Sequence, residues 1–196
     1  MNYLEQIVRL AEKWSVLGER TLGNGTRLIG HVPHVAPQAY LNQFFYPQLV
    51  GGEFDVVEMF VGRPMPRSLR ELYSAFNGFA LFSDDLCVYG LRRSHTRTIE
   101  DAWQPFAIQT PNTVERPLKA PEDVVFFGGY GDDLTLLGMS PKSPRVFATS
   151  PNRWKVKAEW PDLETCLVQE ADRLAALYDA AGKFIGIRGR VSPGSY

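Results

Sequence analysis

The residues best suited to chemistry are a glycine-rich acidic run, a separate aspartate pair, three histidines and two cysteines. The run Phe127-Gly128-Gly129-Tyr130-Gly131-Asp132-Asp133 has glycines that let the backbone approach a ligand closely. Its paired carboxylates have the chemistry to hold Mg²⁺ or to act as acid and base. No Gly-Lys-[Ser/Thr] follows, so it is not a Walker loop, and the Gly-x-Gly-x-x-Gly order of a dinucleotide site is missing. A glycine-rich turn between two strands, with the aspartates accepting from turn amides, is the stronger reading. Asp84-Asp85 reads the same way, as a turn dividing two apolar runs.

His31 and His34 have a spacing that zinc would accept only if other ligands converged. Val32-Pro33 between them forbids a regular helix, and no cysteine or acid lies close in sequence. His95 sits in the basic stretch Arg92-Arg93-Ser94-His95-Thr96-Arg97, which reads as a solvated loop able to meet an anion. Cys87 falls in an apolar strand-like run and Cys166 on the apolar side of a predicted helix, so buried free thiols are expected. No Ser-His-Asp or Cys-His grouping is supported by a local motif. The expectation is a chain with no catalytic set, no metal and no cofactor.

Elements that would position these residues follow from apolar periodicity. Leu4, Ile7, Val8, Ala11 and Trp14 predict an amphipathic helix from Tyr3 to about Leu17. Gly18 to Pro37 reads as turns and short extended pieces. After Pro37, the apolar group Tyr40, Leu41, Phe44 and Phe45 suits a helix that Pro47 and Gly51-Gly52 end. Phe54, Val57, Phe60 and Val61 predict a helix stopped by Gly62. Ser68 with Glu71 forms a capping-box pattern ahead of Leu69, Leu72, Tyr73 and Phe76, with Asn77-Gly78 closing that helix.

Beyond Gly78 the period changes to short apolar runs. Residues 79–82 and 86–91 read as two extended pieces, 105–121 as proline-rich loop, and 99–106 as holding one helical turn. Val124–Phe127, Leu134–Gly138, Arg145–Thr149 and Lys155–Glu159 then read as strands of an antiparallel meander. Asp162 caps a last helix through Tyr178, ended by Ala180-Ala181-Gly182, and residues 183–191 suit one more strand before a frayed tail.

Composition narrows the function classes. The 196 residues suit one domain. Lys plus Arg total 21 and Asp plus Glu 22, and no third of the chain departs from neutrality by more than two charges. That leaves no global field to neutralise phosphate backbones or anionic lipid, so neither direct nucleic-acid nor membrane binding is expected. Met1 to Gln6 has no basic stretch leading into an apolar one, which points to the cytoplasm.

Several of these pieces, in order, resemble a known family. Val57-Glu58, Phe60-Val61-Gly62, Met65-Pro66, Leu69, Leu72-Tyr73, Phe76 and Asn77-Gly78 are similar to the signature of the SUKH superfamily, the Smi/Knr-type cell-wall-assembly-regulator domain. Leu86 to Leu91, Phe126 to Asp132, Val146-Phe147 and Trp160 to Leu167 resemble its later strands and closing helix. The likeness spans about residues 53–180. Met65 stands for the usual leucine, the 92–121 loop is long, and Asp133 follows Asp132 where many relatives have an aromatic.

The resemblance implies an α+β fold with a mixed, mostly antiparallel sheet flanked by helices: residues 1–52 as an N-terminal helical extension packing on the domain, 53–182 as a single SUKH-like domain, and 183–196 as a C-terminal strand and tail. It implies a non-enzymatic protein-binding module, of the immunity type that neutralises a secreted polymorphic toxin by direct binding. The acidic and polar turns Asp84, Asp85, Tyr130, Asp132 and Asp133 are the expected partner contacts, complementing a basic nuclease surface. Two alternatives are a regulatory interaction domain without a toxin role, and a small ligand-binding or hydrolytic enzyme using Gly128 to Asp133 with His95, which requires those side chains to converge in a pocket.

Overall fold

Asn2 opens the first helix of the computed structural model, which describes residues 2–94, 103–187 and 191–193. Its side chain accepts from the Glu5 amide at 2.9 Å while Glu5 reaches back to the Asn2 amide, a capping box that starts α1 (Tyr3–Glu12). Leu4, Ile7, Leu10 and Ala11 are buried along one side. A 3₁₀ turn, Ser15–Leu17, then leads into three strands: β1 (Glu19–Thr21), β2 (Arg27–His31) and β3 (Tyr40–Phe44).

β3 is a strand where the aromatic spacing suggested a helix. Leu41 and Phe44 bury on the main core, and pairing of the segment with β2 on one side and Gln43↔Ala80, Phe44↔Phe79 on the other decides for the extended form. Residues 1–52 thus supply one helix and three strands, and those strands are hydrogen-bonded into the same sheet as everything downstream.

Two helices follow, α2 (Glu53–Val61) and α3 (Arg67–Tyr73). Gly62, at φ 76°, ends α2 in the left-handed conformation. Glu58 bridges the pair: one carboxylate oxygen accepts from the Met65 amide at 2.9 Å and from Arg70 at 2.8 Å. Ser68 does not cap α3. The helix enters through Pro66, Ser68 already lies within it with its hydroxyl 3.8 Å from Met139 Sδ, and Glu71 pairs with Arg67 instead. The helix also stops at Tyr73, ahead of Asn77-Gly78. Asn77 is buried and its amide mimics a strand partner, accepting from Leu91 N at 2.8 Å and donating to Leu91 O at 2.7 Å.

β4 (Phe79–Leu81), β5 (Leu86–Val88), β6 (Val125–Gly129), β7 (Leu136–Met139), β8 (Val146–Thr149) and β9 (Val156–Trp160) complete the sheet, and α4 (Leu163–Ala175) follows with Asp162 as its cap. Among the described residues the sheet has nine strands in chain order, every neighbouring pair antiparallel. The fold is α+β, with α1 and α4 packing together. Where a further strand was expected after Tyr178, the described residues form one isolated bridge, Tyr178 to Phe184.

Alternation in the central strands decides which face each residue serves. Phe79, Leu81, Leu86, Val88, Val125, Phe127, Leu137 and Met139 point into the large core shared with the helices. Ala80, Cys87, Phe126 and Leu136 point the other way, into two small clusters with Tyr89 and Trp154. The loop from Pro105 to Pro121 lies against that second face.

Candidate functional site

The loop joining β4 to β5 has three consecutive non-glycine residues at positive φ: Phe82 at 57°, Ser83 at 53° and Asp84 at 73°. Each costs about 1–2 kcal/mol relative to the right-handed form, so the surroundings must impose it. They do so from several elements. Asn42 of β3 accepts from Phe82 N at 3.2 Å, Leu41 O accepts from Ser83 N at 2.8 Å, and Asp84 O accepts from Gly131 N at 3.1 Å. The Tyr178 hydroxyl lies 2.7 Å from Phe82 O and 2.5 Å from Asp85 Oδ2.

Beside this tip lies the β6–β7 tip with the glycine run. A Cβ at Gly129 would stand 2.6 Å from both Thr135 O and Tyr89 Oη, and one at Gly131 would stand 2.7 Å from Asp84 O. Glycine is required at both because the two hairpin tips pack backbone to backbone. Gly128 and Gly129 belong to β6, so the turn proper begins at Tyr130.

The five residues expected to meet a partner divide sharply. Asp85 and Tyr130 are buried, and neither presents its side chain to a partner. Tyr130 donates to Glu170 Oε2 at 2.7 Å, and Arg173 holds the same carboxylate at 2.5 Å. Burial above all, then the neighbouring Glu170 charge, pushes the Tyr130 phenol well up. Asp132 and Asp133 are engaged by the chain's own C-terminal segment: Val191 N donates to Asp132 Oδ2 at 3.2 Å and Ser192 Oγ to Asp133 Oδ2 at 2.7 Å.

Lys157 also donates to Asp133, at 2.7 Å, and the Asp133 Oδ1 accepts from the Thr135 amide at 3.0 Å. Burial works to raise the Asp133 carboxyl, but the Lys157, Thr135 and Ser192 hydrogen bonds outweigh it and bring it down to about 2. Among the described residues Asp84 is the one of the five whose carboxylate has no hydrogen-bond or ion-pair partner. Burial, and then Asp85, pushes it above its ordinary value.

Asp84 lines a cleft of about 750 Å³ on the second sheet face. Cys87, Tyr89, Gly129 and Leu136 form its floor, and residues 106–118 form a wall. Two side chains hold that wall in place. Asn112, in the 3₁₀ turn Thr110–Asn112, exchanges hydrogen bonds with the Phe126 backbone at 2.6 and 2.9 Å. Arg116 donates to the carbonyls of Pro121, Glu122 and Val124, with its guanidinium 5.2 Å from the centre of the Phe126 ring.

The mouth is apolar: Phe106 is 52% exposed, Val114 87%, Leu118 71% and Leu134 65%. Leu134 is held at φ 58°, a conformation unusual for a branched side chain. Cys87 in the floor is buried, and burial first, with Asp84 and Asp85 adding to it, keeps its thiol protonated. Cys166 is likewise buried and unbonded.

The two described histidines do not line the cleft. His31 Nε2 lies 3.0 Å from Pro37 O, and His34 is exposed. His95 and the start of the turn expected at 99–106 lie outside the described residues. No three of His, Cys, Asp and Glu among the described residues are grouped to hold a metal ion. No described helix is long and apolar enough to cross a membrane. Sequence reasoning missed Phe106, Val114, Glu115 and Leu118, which line the cleft from a stretch whose only signal is proline, and placed Leu134 at the start of a strand. No known family model matches the chain, and no curated protein matches it either.

Proposed function

We propose that this chain is a non-enzymatic protein-binding domain whose docking face is the cleft and its apolar rim. The observation that carries this is the ring of Phe106, Val114, Leu118 and Leu134, four large apolar side chains held in water around one concave site. Solvent exposure of such a patch is unfavourable, and a partner surface that covers it recovers the burial at about 25 cal/mol per Å². Side chains that fill a concave, desolvated centre are the ones that dominate binding energy.

The lining suits holding a partner better than turning over a substrate. The Cys87 thiol is protonated, and Asp132 and Asp133, the acids an enzyme reading would use, face Lys157 and residues 191–192 and do not line the cleft. The resemblance to SUKH domains adds the class of partner: the catalytic domain of a secreted toxin, bound in the cytoplasm as an immunity protein does. Asp84 replaces the wider set of acidic turns as the contact residue, because it lines the cleft and its carboxylate is unpaired among the described residues.

Calorimetry of the purified chain against toxin catalytic domains from its own host tests this. A binding toxin domain whose affinity falls about tenfold or more with Val114→Glu or Leu134→Glu is expected. Failure of every toxin domain, with a non-toxin protein binding through the same rim, would support a regulatory domain instead.

A further inference from the structure

We infer that the cleft receives a lysine or arginine side chain presented by the partner protein, with Asp84 meeting its cationic head. This rests on the protein-binding reading above. A basic side chain has two parts, an alkyl stem that seeks apolar surface and a head that seeks an anion. The cleft offers both in one line. Phe106, Val114 and Leu134 stand at the mouth, and Asp84 lies part-buried in the lining with its carboxylate unpaired among the described residues.

The other charges in the lining point to the same occupant. Glu115 adds a second acid. Among the described residues Arg116 is the lining's one cation, and its guanidinium is committed to the carbonyls of Pro121, Glu122 and Val124. An anionic side chain would therefore meet acids with no cation to answer it, and an apolar one would bury Asp84 without a partner, which is costly. A guanidinium or ammonium instead makes a charge-assisted hydrogen bond in a site already partly removed from water.

The Asp84 backbone is fixed in place. Its carbonyl oxygen accepts from Gly131 N at 3.1 Å and from Cys87 Sγ at 3.4 Å, tying it to the β6–β7 turn and to β5. A preformed site of this kind spends little on ordering when its ligand arrives.

The test titrates the isotope-labelled full chain with the N-acetyl amides of arginine, lysine, norleucine and glutamate, following backbone amide signals by NMR. Arginine and lysine amides are expected to shift the Asp84, Gly129 and Gly131 signals saturably in the millimolar range, as suits ligands of this size. Norleucine amide should bind about fivefold or more weakly, and glutamate amide not at all. Asp84→Asn should lower the arginine and lysine affinities to the norleucine level with the rest of the spectrum unchanged.

Equal binding of norleucine and lysine amides overturns the proposal, as does an Asp84→Asn variant that binds arginine amide unchanged, or no saturable shift with any probe. Saturable binding of the basic amides alongside a partner indifferent to Leu134→Glu would overturn the docking reading alone. A partner lost on Leu134→Glu, with no binding of the basic amides, would overturn the side-chain pocket alone.

Discussion

The Ser192 hydroxyl donates to Asp133 Oδ2 across 2.7 Å, joining positions 59 residues apart and tying the end of the described chain to the glycine-rich turn. Val191 beside it is fully buried, and its carbonyl accepts from Arg173 at 2.6 Å. The segment is thus part of the fold. Ending the chain before Val191 is expected to cost about 2–4 kcal/mol, from one lost apolar side chain and one partner fewer for each of Asp132, Asp133 and Arg173. Urea unfolding measures it, and an unchanged midpoint would show that the contact carries no stability.

The same carboxylate predicts an acid transition. The Asp133 pKa is depressed to about 2 from an ordinary 3.8. A depressed carboxyl contributes stability that is present above its ordinary value and is lost as pH falls through the folded one. Its side chain is 29% exposed, and solvent screening limits the contribution to about 1–2 kcal/mol. Between roughly pH 4 and 2 the chain should lose that much stability, and Asp133→Asn should flatten that part of the profile. Parallel profiles for the two proteins would argue that other carboxylates govern the transition.

Much of the sheet was legible because it is written in local pattern. The strands at 125–129, 136–139, 146–149 and 156–160 fell within a residue or two of the expected runs, and Asp162 caps its helix as its type and place suggested. What failed depended on distant partners. Tyr40, Leu41, Phe44 and Phe45 satisfy a helical face and a strand about equally, and only β2 and β4 choose between them. Asn77 and Asn112 look like turn formers, yet each is buried and substitutes for a strand neighbour. Asp132-Asp133 has the composition of a solvated acidic turn, and nothing nearby in sequence announces that residues 191–192 occupy it. The cleft was least legible of all, since exposed apolar residues in a proline-rich loop carry no periodicity.

Glu170 of α4 is 4% exposed, accepting from Tyr130 Oη and from Arg173. Glu170→Ala would remove the carboxylate that Arg173 and the Tyr130 hydroxyl share, a loss of about 3–5 kcal/mol. Glu170→Gln keeps an acceptor for Tyr130 and should lose less, about 1–3 kcal/mol. Denaturant unfolding of both variants checks the order, and a glutamine variant no better than alanine would show that the charge itself is what matters.

Gly129→Ala forces a methyl group to within 2.6 Å of Thr135 O and Tyr89 Oη. Tyr89 can be trimmed but the Thr135 carbonyl cannot, so adding Tyr89→Phe should not restore stability. A loss of about 1–3 kcal/mol is expected for Gly129→Ala in either background. Full rescue by Tyr89→Phe would mean that the side chain, and not the close approach of the two backbone segments, sets the requirement for glycine.

Asp84 separates function from stability. Burial, with Asp85 next to it, raises its carboxyl, and the Cys87 thiol is held protonated in the same surroundings. A raised carboxyl contributes stability that is present below its ordinary value and is lost as pH rises through the folded one, so at neutral pH the Asp84 charge works against the fold. Asparagine removes that charge, keeps the shape, and tolerates a φ of 73° at least as well. Asp84→Asn should therefore raise Tm by about 2 °C at pH 7 while weakening arginine amide and the partner protein. If Asp84 served only to build its turn, the same substitution would leave Tm unchanged or lower it and would leave ligand affinity untouched. Thermal unfolding and titration of this single variant decide between the two, because stability and binding are expected to move in opposite directions.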